Sequence, residues 1–388
     1  MSKEFAEKGN KVFLITSDAN HLAQYPETEK VYNFEHIQGI DVCWIKTKKY
    51  KKTASLSRIL SWLDFEIKLF RLKKNNLDSP NIVLVSSLSI FTVIYGFYLK
   101  KKYKVPLVFE VRDIWPLTMT EEGGFSKWHP LVKIIGWIEK FGYKHADLIV
   151  GTMPKLDKHV EEVLGYKRPY FCSPLGFDKK SYDYDRLNDY ENMYFAQLPK
   201  KKTIIGYAGS MGVTNNLEPL IKTIKLLKNN GDMFFALVGY GDLKEQFEKE
   251  LKGCDNVIFV GRLPQEQVKF FLAKCDLVYL STIPSKIWSY GQSMNKVVEY
   301  MLAAKPILAS YSGYQSMINE ANCGYFIKTD DPERLKQEIL KFCELTEGEK
   351  SKMGERGRKW ILEHRSYDKL ASEYLEQLER LVQKKKLG

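Results

Sequence analysis

The sequence predicts an α/β protein of two facing, doubly wound domains with a cleft between them. Three observations carry that reading. Short apolar runs such as 82–86, 148–152 and 277–281 alternate with stretches of helical periodicity, the pattern of parallel strands buried on both faces. The alternation stops over 178–202, a polar, tyrosine-rich stretch ending in Pro199 and three lysines, and resumes at Thr203. A chain of 388 residues is also long for one core. The expected division is a first domain over 1–177, a linker over 178–202 and a second domain over 203–365.

The elements follow in order. Ser2–Lys8 reads as the end of a helix closed by Gly9 and Asn10, and Val12–Thr16 as a strand. A doubly wound domain normally opens on a strand and a glycine-bearing loop before such a helix. Here that first strand is missing from the expected pattern. Val42–Lys46 is a short strand, and 46–52 (KTKKYKK) is a basic loop. In the helix expected at Leu56–Lys74, Ile59, Leu60, Leu63, Ile67, Leu69 and Phe70 are spaced for one buried face. Strand Ile82–Ser86 leads to an aromatic helix, Ser89–Tyr103, that ends in three lysines. Strand Leu107–Val111 runs straight into Arg112-Asp113-Ile114-Trp115-Pro116. Helix His129–His145, strand Leu148–Thr152, helix Lys155–Leu164 and strand Tyr170–Ser173 complete the first series.

The second series starts with strand Thr203–Tyr207 and helix Leu217–Asn229. Strands at Met233–Val238, Val257–Val260 and Leu277–Ser281 alternate with helices at Leu243–Leu251 and Gln265–Lys274. Helix Ser293–Ala304 precedes strands Pro306–Ser310 and Gly324–Lys328, and helices Pro332–Leu345 and Asp368–Lys384 close the chain.

A net charge of +12 points to an acidic partner, whether phosphorylated substrate, anionic lipid or nucleic acid. Lysines dispersed over both domains, without a reading module, argue against nucleic acid. The six cysteines show no paired spacing and fit buried free thiols in a reducing cytoplasm. No apolar run reaches membrane-spanning length and the N-terminus lacks a signal-peptide pattern, so a cytoplasmic protein is expected. The histidines show no metal spacing.

The most informative stretch is 277–310. Ser293 reads as an N-cap, Gly291 lets the chain turn sharply before it, and Glu299 shares a helical face with Asn295 and Lys296. A helix N-terminus at the end of an apolar strand favours anions, and Lys296 adds a cation there. Glu299, one turn deeper, can accept from a pair of hydroxyls. The pattern fits a diphosphate beside a ribose, and equally a capped amphipathic helix with a surface salt bridge. Gly206, Gly209 and Gly212 lie in a strand-to-helix turn without the dinucleotide fingerprint spacing. That turn is either a plain connection or a place where backbone amides of Gly209, Ser210, Met211 and Gly212 meet a ligand. Gly239-Tyr240-Gly241-Asp242 reads as a structural turn, and Arg262 with Leu263 as either a base-reading loop or ordinary exposure. All of these lie at the carboxyl ends of strands, the edge on which open α/β sheets bind ligands.

With these residues in view, the chain resembles glycosyltransferase family 4, the retaining nucleotide-sugar transferases of GT-B fold, with two Rossmann-like domains. Within it the sequence is most similar to bacterial N-acetyl-L-fucosamine transferases of O-antigen and capsule synthesis. The resemblance rests on EVRDIWP (110–116), GYAGSMG with Asn216-Leu217, and YGQSMNKVVEYMLAAKPIL (290–308). It implies that Glu299 holds the ribose hydroxyls, that Gly209–Gly212 lie against the diphosphate, and that Arg262 and Leu263 read the base. Gly291 stands where the family has a first glutamate, which leaves the amides of Gln292 and Ser293 to grip the donor sugar. The basic pair that many members place after the glycine loop is replaced by Val213-Thr214-Asn215-Asn216, leaving Lys296 as the main phosphate cation. Arg112 and Asp113 stand where many relatives have a histidine-aspartate pair near the reacting carbon.

The resemblance further implies that the last helix, 366–388, packs back on the first domain. The expected donor is a UDP-sugar, used as substrate with no cofactor and no metal. The expected acceptor is a saccharide or an undecaprenyl-diphosphate-linked sugar at the inner face of the membrane. The basic, aromatic faces at 46–52 and 89–102 fit either docking on anionic lipid or ordinary solvated lysine surfaces. Two rival readings are a UDP-sugar 2-epimerase and a truncated, inactive nucleotide-sugar-binding protein.

Overall fold

A computed structural model describes residues 1–19, 28–49, 56–73, 78–181, 195, 197–328 and 330–387. Most of the expected linker, and the loop over 50–55, lie outside the described residues. The chain forms two compact units, Met1–Pro174 with Tyr367–Gly388, and Leu175–Ser366.

Among the described residues the first unit holds two sheets. One has the order β1 (Val12–Ser17), β3 (Ile40–Ile45), β2 (Tyr32–Ile37). The other is parallel and runs β4 (Val83–Ser86), β5 (Leu107–Val111), β6 (Leu148–Gly151), β7 (Tyr170–Cys172). Helix Ser2–Glu7 leads into β1, and both β1 and β4 are edge strands. Strand β2 is unexpected. It pairs antiparallel with β3 across Gln38 and Gly39, at φ 50° and 79°. Those angles suit a tight hairpin turn of the primed kind. Its sequence, YNFEHI, is largely exposed and so lacks the apolar run that marks buried strands.

Helix Leu56–Arg71 corrects a second expectation. Phe65 and Leu69 are buried beside Cys43 and Ile45, whereas Leu60, Leu63, Ile67 and Phe70 are exposed. The helix thus carries two apolar stripes, and the sheet it packs on covers only one. On its inner side Glu66 is buried and accepts hydrogen bonds from Ser89 Oγ at 3.0 Å and Thr92 Oγ1 at 2.7 Å. Burial pushes its carboxyl up to about 7. A carboxyl raised in the fold stabilises fully below its unfolded pKa, and that contribution is lost as pH rises through the folded value. Glu66→Gln, which keeps the accepting oxygen, should therefore leave stability near pH 4 unchanged. Above pH 7 it should raise stability by up to about 3 kcal/mol. Urea unfolding at the two pH values checks this.

Helix Tyr367–Leu387 buries Leu370, Ala371, Tyr374, Leu375 and Leu378 against Val108, Leu148, Val150 and Phe5 of the first unit. Among the described residues, no helix is long and apolar enough to cross a membrane.

The second unit contains one all-parallel sheet. Its strands are β8 (Thr203–Ala208), β9 (Met233–Val238), β10 (Val257–Gly261), β11 (Leu277–Ser281), β12 (Ile307–Ser310) and β13 (Gly324–Ile327). The order is β10-β9-β8-β11-β12-β13. Counted from β8 this is 3-2-1-4-5-6, the doubly wound order, and the direction in which strands are added reverses between β8 and β11. Core clusters lie on both faces of the sheet. Helix Glu347–His364 escapes the strand-helix alternation, although a sequence signal marks it. Thr346 and Glu349 form a reciprocal capping box at its start.

Candidate functional site

Where winding reverses, two neighbouring parallel strands send their following segments to opposite faces, leaving a crevice at their carboxyl ends. In this unit that point lies at the ends of β8 and β11. Three segments meet there: the glycine loop 209–212, the turn 239–241, and the helix Asn295–Leu302.

Tyr300 anchors that helix. Its buried hydroxyl accepts from the Ala208 amide at 3.0 Å and lies 3.2 Å from the Ala208 carbonyl and 3.3 Å from that of Tyr279. One aromatic residue thereby ties the helix to the ends of both central strands. The preceding loop turns at Gly291, whose φ of 106° suits glycine.

The expected cap is corrected. The helix begins at Asn295, its N-cap position is Met294, and no side chain caps it. Ser293 lies one residue too early, and its hydroxyl instead accepts from the Leu175 amide at 2.8 Å. Asn295 is exposed. Gln292 is buried, and neither atom of its side-chain amide has a hydrogen-bond partner among the described residues.

Lys296 extends toward the glycine loop. Its ammonium donates to Asn215 Oδ1 and lies 3.5 Å from the Tyr207 hydroxyl and 5.3 Å from that ring's centre. A Cβ on Gly209 would come within 3.3 Å of Lys296 Nζ, so the cation sits directly against the loop. Burial pulls its pKa down to about 8. No carboxylate forms an ion pair with it among the described residues. A charge withdrawn from water without a counter-ion is costly, and the arrangement is relieved by an anion arriving beside it.

The loop amides divide. Gly209 N–H donates to the Val238 carbonyl at 3.0 Å and Met211 N–H to the Tyr240 carbonyl at 2.8 Å. Both are therefore spent inside the protein, and the Met211 side chain is wholly buried. This corrects the expectation that the whole loop turns its amides outward. Only the amides of Ser210 and Gly212 lack a protein acceptor among the described residues. The loop lies against the turn 239–241. A Cβ on Gly239 would fall 1.8 Å from the Gly209 carbonyl oxygen, and one on Gly241 2.6 Å from the Met211 backbone.

Glu299, one turn along from Lys296, is partly buried. Burial raises its carboxyl pKa, while a hydrogen bond with the Gln265 side chain lowers it. Arg262 is exposed and its guanidinium stacks 4.7 Å over the Tyr240 ring, while Leu263 beside it is buried. Sequence reasoning missed Tyr207, Asn215, Tyr240, Gln265 and Tyr300. Tyr240, between two glycines at a strand end, had a legible signal. The others are identified only by what they touch.

In the first unit, Arg112 pairs with Glu110 through Nε at 2.7 Å rather than with Asp113. Tyr374 Oη donates to the other Glu110 oxygen at 3.4 Å. The loop turns around Ser87. Its Oγ accepts the amides of Arg112 at 2.8 Å and Asp113 at 3.2 Å, and its carbonyl accepts Trp115 Nε1 at 3.0 Å. Asp113 bears on Glu122, whose carboxyl is raised first by burial and then by that neighbouring charge.

Comparison with known proteins adds a family to this geometry. The model of the family described as "Glycosyl transferases group 1" matches residues 190–360. Residues 190–360 carry the pattern of that glycosyltransferase family. A probable glycosyltransferase, WbjE of Pseudomonas aeruginosa, is 26% identical over 316 residues, 79% of this chain and 77% of that protein. Among solved structures, sucrose-phosphate synthase from Thermosynechococcus elongatus superposes with a TM-score of 0.73 at 15% identity, over 98% of this chain and 91% of that one. Anabaena Alr3699/HepE, solved with UDP and glucose, gives 0.62 at 14% identity over 88% and 87%. At such identities the structural likeness establishes the fold alone, the α/β architecture with parallel sheets seen in GT-B glycosyltransferases. The glycosyltransferase match spans β8 to β13, and so the whole crevice described above.

Proposed function

We propose that the protein is a retaining glycosyltransferase of family 4 that moves a sugar from a UDP-sugar to a saccharide or lipid-diphosphate-linked acceptor in surface polysaccharide synthesis. The sugar it transfers is an N-acetylated amino sugar. The observation that carries this reading is Lys296, a partly buried ammonium without a carboxylate partner among the described residues, held against a glycine loop where the sheet's winding reverses. A diphosphate supplies the missing counter-charge.

In this reading Lys296 and the amides of Ser210 and Gly212 take up the negative charge that builds on the departing diphosphate. Such groups, fixed before the reaction, need no reorganisation as that charge develops. Glu299 accepts from the ribose hydroxyls. Arg262 and Tyr240 offer a flat stacked surface to the base, and the Gln292 amide, without a partner among the described residues, reads the donor sugar. Arg112 and Asp113 are assigned to the reacting centre on sequence resemblance, with Glu110 and Ser87 fixing their loop. The reaction uses no metal. Departure of the diphosphate and arrival of the acceptor hydroxyl occur on one face of the sugar, which retains its configuration.

Ribose contacts persist from ground state to transition state, so losing them weakens binding more than turnover. Glu299→Gln should raise the donor KM roughly tenfold with little change in kcat. Initial rates over a donor concentration series test this. A kcat loss with KM unchanged would remove Glu299 from the ribose.

A further inference from the structure

The donor crevice accounts for nothing on the outer side of helices Thr92–Tyr103 and Pro130–His145. Helix Pro130–His145 buries Val132, Ile135, Ile138 and Tyr143. It nevertheless leaves Ile134 52% and Trp137 64% exposed, and Trp128 just before it is 78% exposed. These residues continue into an aromatic ribbon. Trp137 stacks on Phe141 at 5.9 Å, Phe141 meets Phe97 at 5.2 Å, and His145 closes on Phe97 at 4.6 Å. Phe97 belongs to the neighbouring helix, whose Tyr98 contacts exposed Phe70 at 6.0 Å. The apolar surface thereby reaches the uncovered stripe of helix Leu56–Arg71.

The charge along this ribbon has one sign. Lys133 lies 4.6 Å over the Trp128 ring and Lys101 5.5 Å over Phe97. Lys140 and Lys144 are exposed on the same helix as Trp137. That helix has one carboxylate, Glu139, which is buried and paired with His159 at 2.7 Å. Helix Thr92–Tyr103 has none, and nearby Asp147 is taken by Lys100 at 2.7 Å. Exposed tryptophans between lysines, beside two helices that turn no carboxylate of their own outward, match a headgroup region in which aromatic rings sit at the boundary and anionic lipid meets the cations.

We infer that this face, centred on Trp128, Ile134, Trp137 and Phe141, docks on an anionic bilayer surface. The rings enter the headgroup layer, and Lys101, Lys133, Lys140 and Lys144 meet lipid phosphates. The inference is independent of the sugar-transfer reading. Of the two basic faces expected from the sequence it keeps the one at 89–102, extends it onto helix Pro130–His145, and leaves out the loop at 46–52.

The test is co-sedimentation of the full chain with phosphatidylcholine vesicles, with and without phosphatidylglycerol. The wild type should pellet with the anionic vesicles and stay in solution with the neutral ones. The double variant Trp128→Ser/Trp137→Ser and the triple variant Lys133→Glu/Lys140→Glu/Lys144→Glu should each partition roughly tenfold more weakly or worse. Their melting temperatures should stay at the wild-type value, because the altered side chains are exposed. Leu226→Ser, an exposed change in the other unit, should bind like the wild type. Failure of the wild type to pellet, equal pelleting with neutral vesicles, or undiminished binding by the folded double variant would each overturn the inference. So would finding that the double variant abolishes a dimer of a chain that ignores vesicles, since the face would then be a self-contact.

Discussion

Replacing Lys296 by methionine should lower turnover about a hundredfold or more, the scale of losing one preorganised contact to developing charge. Methionine has a similar reach without the charge, and the site already holds the ammonium away from water. The variant should therefore fold as well as the wild type or better, because a partly desolvated charge with no counter-ion among the described residues has been removed. A pH profile gives a second readout. With its pKa held down to about 8, Lys296 loses its proton in mildly alkaline solution. The wild-type kcat/KM should fall as pH rises through that value. In the bound complex the diphosphate favours the ammonium, so the limb in kcat should lie at higher pH. Lys296→Met should lack both limbs. Unchanged donor-saturated turnover, or the same alkaline limb in the variant, would remove Lys296 from the chemistry.

Gly239→Ala should be the most damaging small substitution in the second unit. At φ 145° the backbone is one that side chains rarely adopt, and the added Cβ would lie 1.8 Å from the Gly209 carbonyl oxygen. Neither partner can yield cheaply, since both belong to strand-end turns fixed by backbone hydrogen bonds. The cost should be about 3 kcal/mol or more in urea unfolding. Whatever protein folds should bind donor weakly, because the glycine loop itself has to move. Gly253→Ala is the control. It also has a positive φ, 85°, but its Cβ would meet nothing within 4 Å. Its loss should be confined to backbone strain, on the order of 1 kcal/mol. Equal losses at the two positions would show that packing against the loop is not what demands glycine.

The legible parts of the sequence were those where one physical signal dominates. Buried parallel strands announce themselves as unbroken apolar runs, so β9 and β11 are found residue for residue. Strand β2 was not legible, because an exposed strand in a hairpin carries few of those residues. The helix at 347–364 carries its capping box, but its composition is polar and offers no apolar stripe strong enough to mark the element. Helix Leu56–Arg71 shows the limit of periodicity. Spacing finds an apolar stripe and cannot say whether a neighbour covers it, and here Leu60, Leu63, Ile67 and Phe70 remain open.

At the crevice, sequence reasoning found the parts and misplaced some of their contacts. Lys296 and the glycine loop do lie together, because strand order brings β8 beside β11. Ser293 is not the cap, since its hydroxyl belongs to the Leu175 amide. Arg112 pairs with Glu110, two positions back along an extended strand, where side chains share a face. Tyr207 and Tyr300 would read from sequence as ordinary core aromatics. Only the three-dimensional arrangement reveals that one borders the lysine and the other pins its helix.

The account depends on where a nucleoside diphosphate settles, and a crystal structure of the protein with UDP measures that directly. The expected result is the diphosphate against Gly209–Gly212 with an oxygen about 3 Å from Lys296 Nζ, and the ribose hydroxyls on Glu299. UDP bound elsewhere on the chain, or bound in the crevice with Lys296 still turned to Asn215 and away from the phosphates, would contradict it.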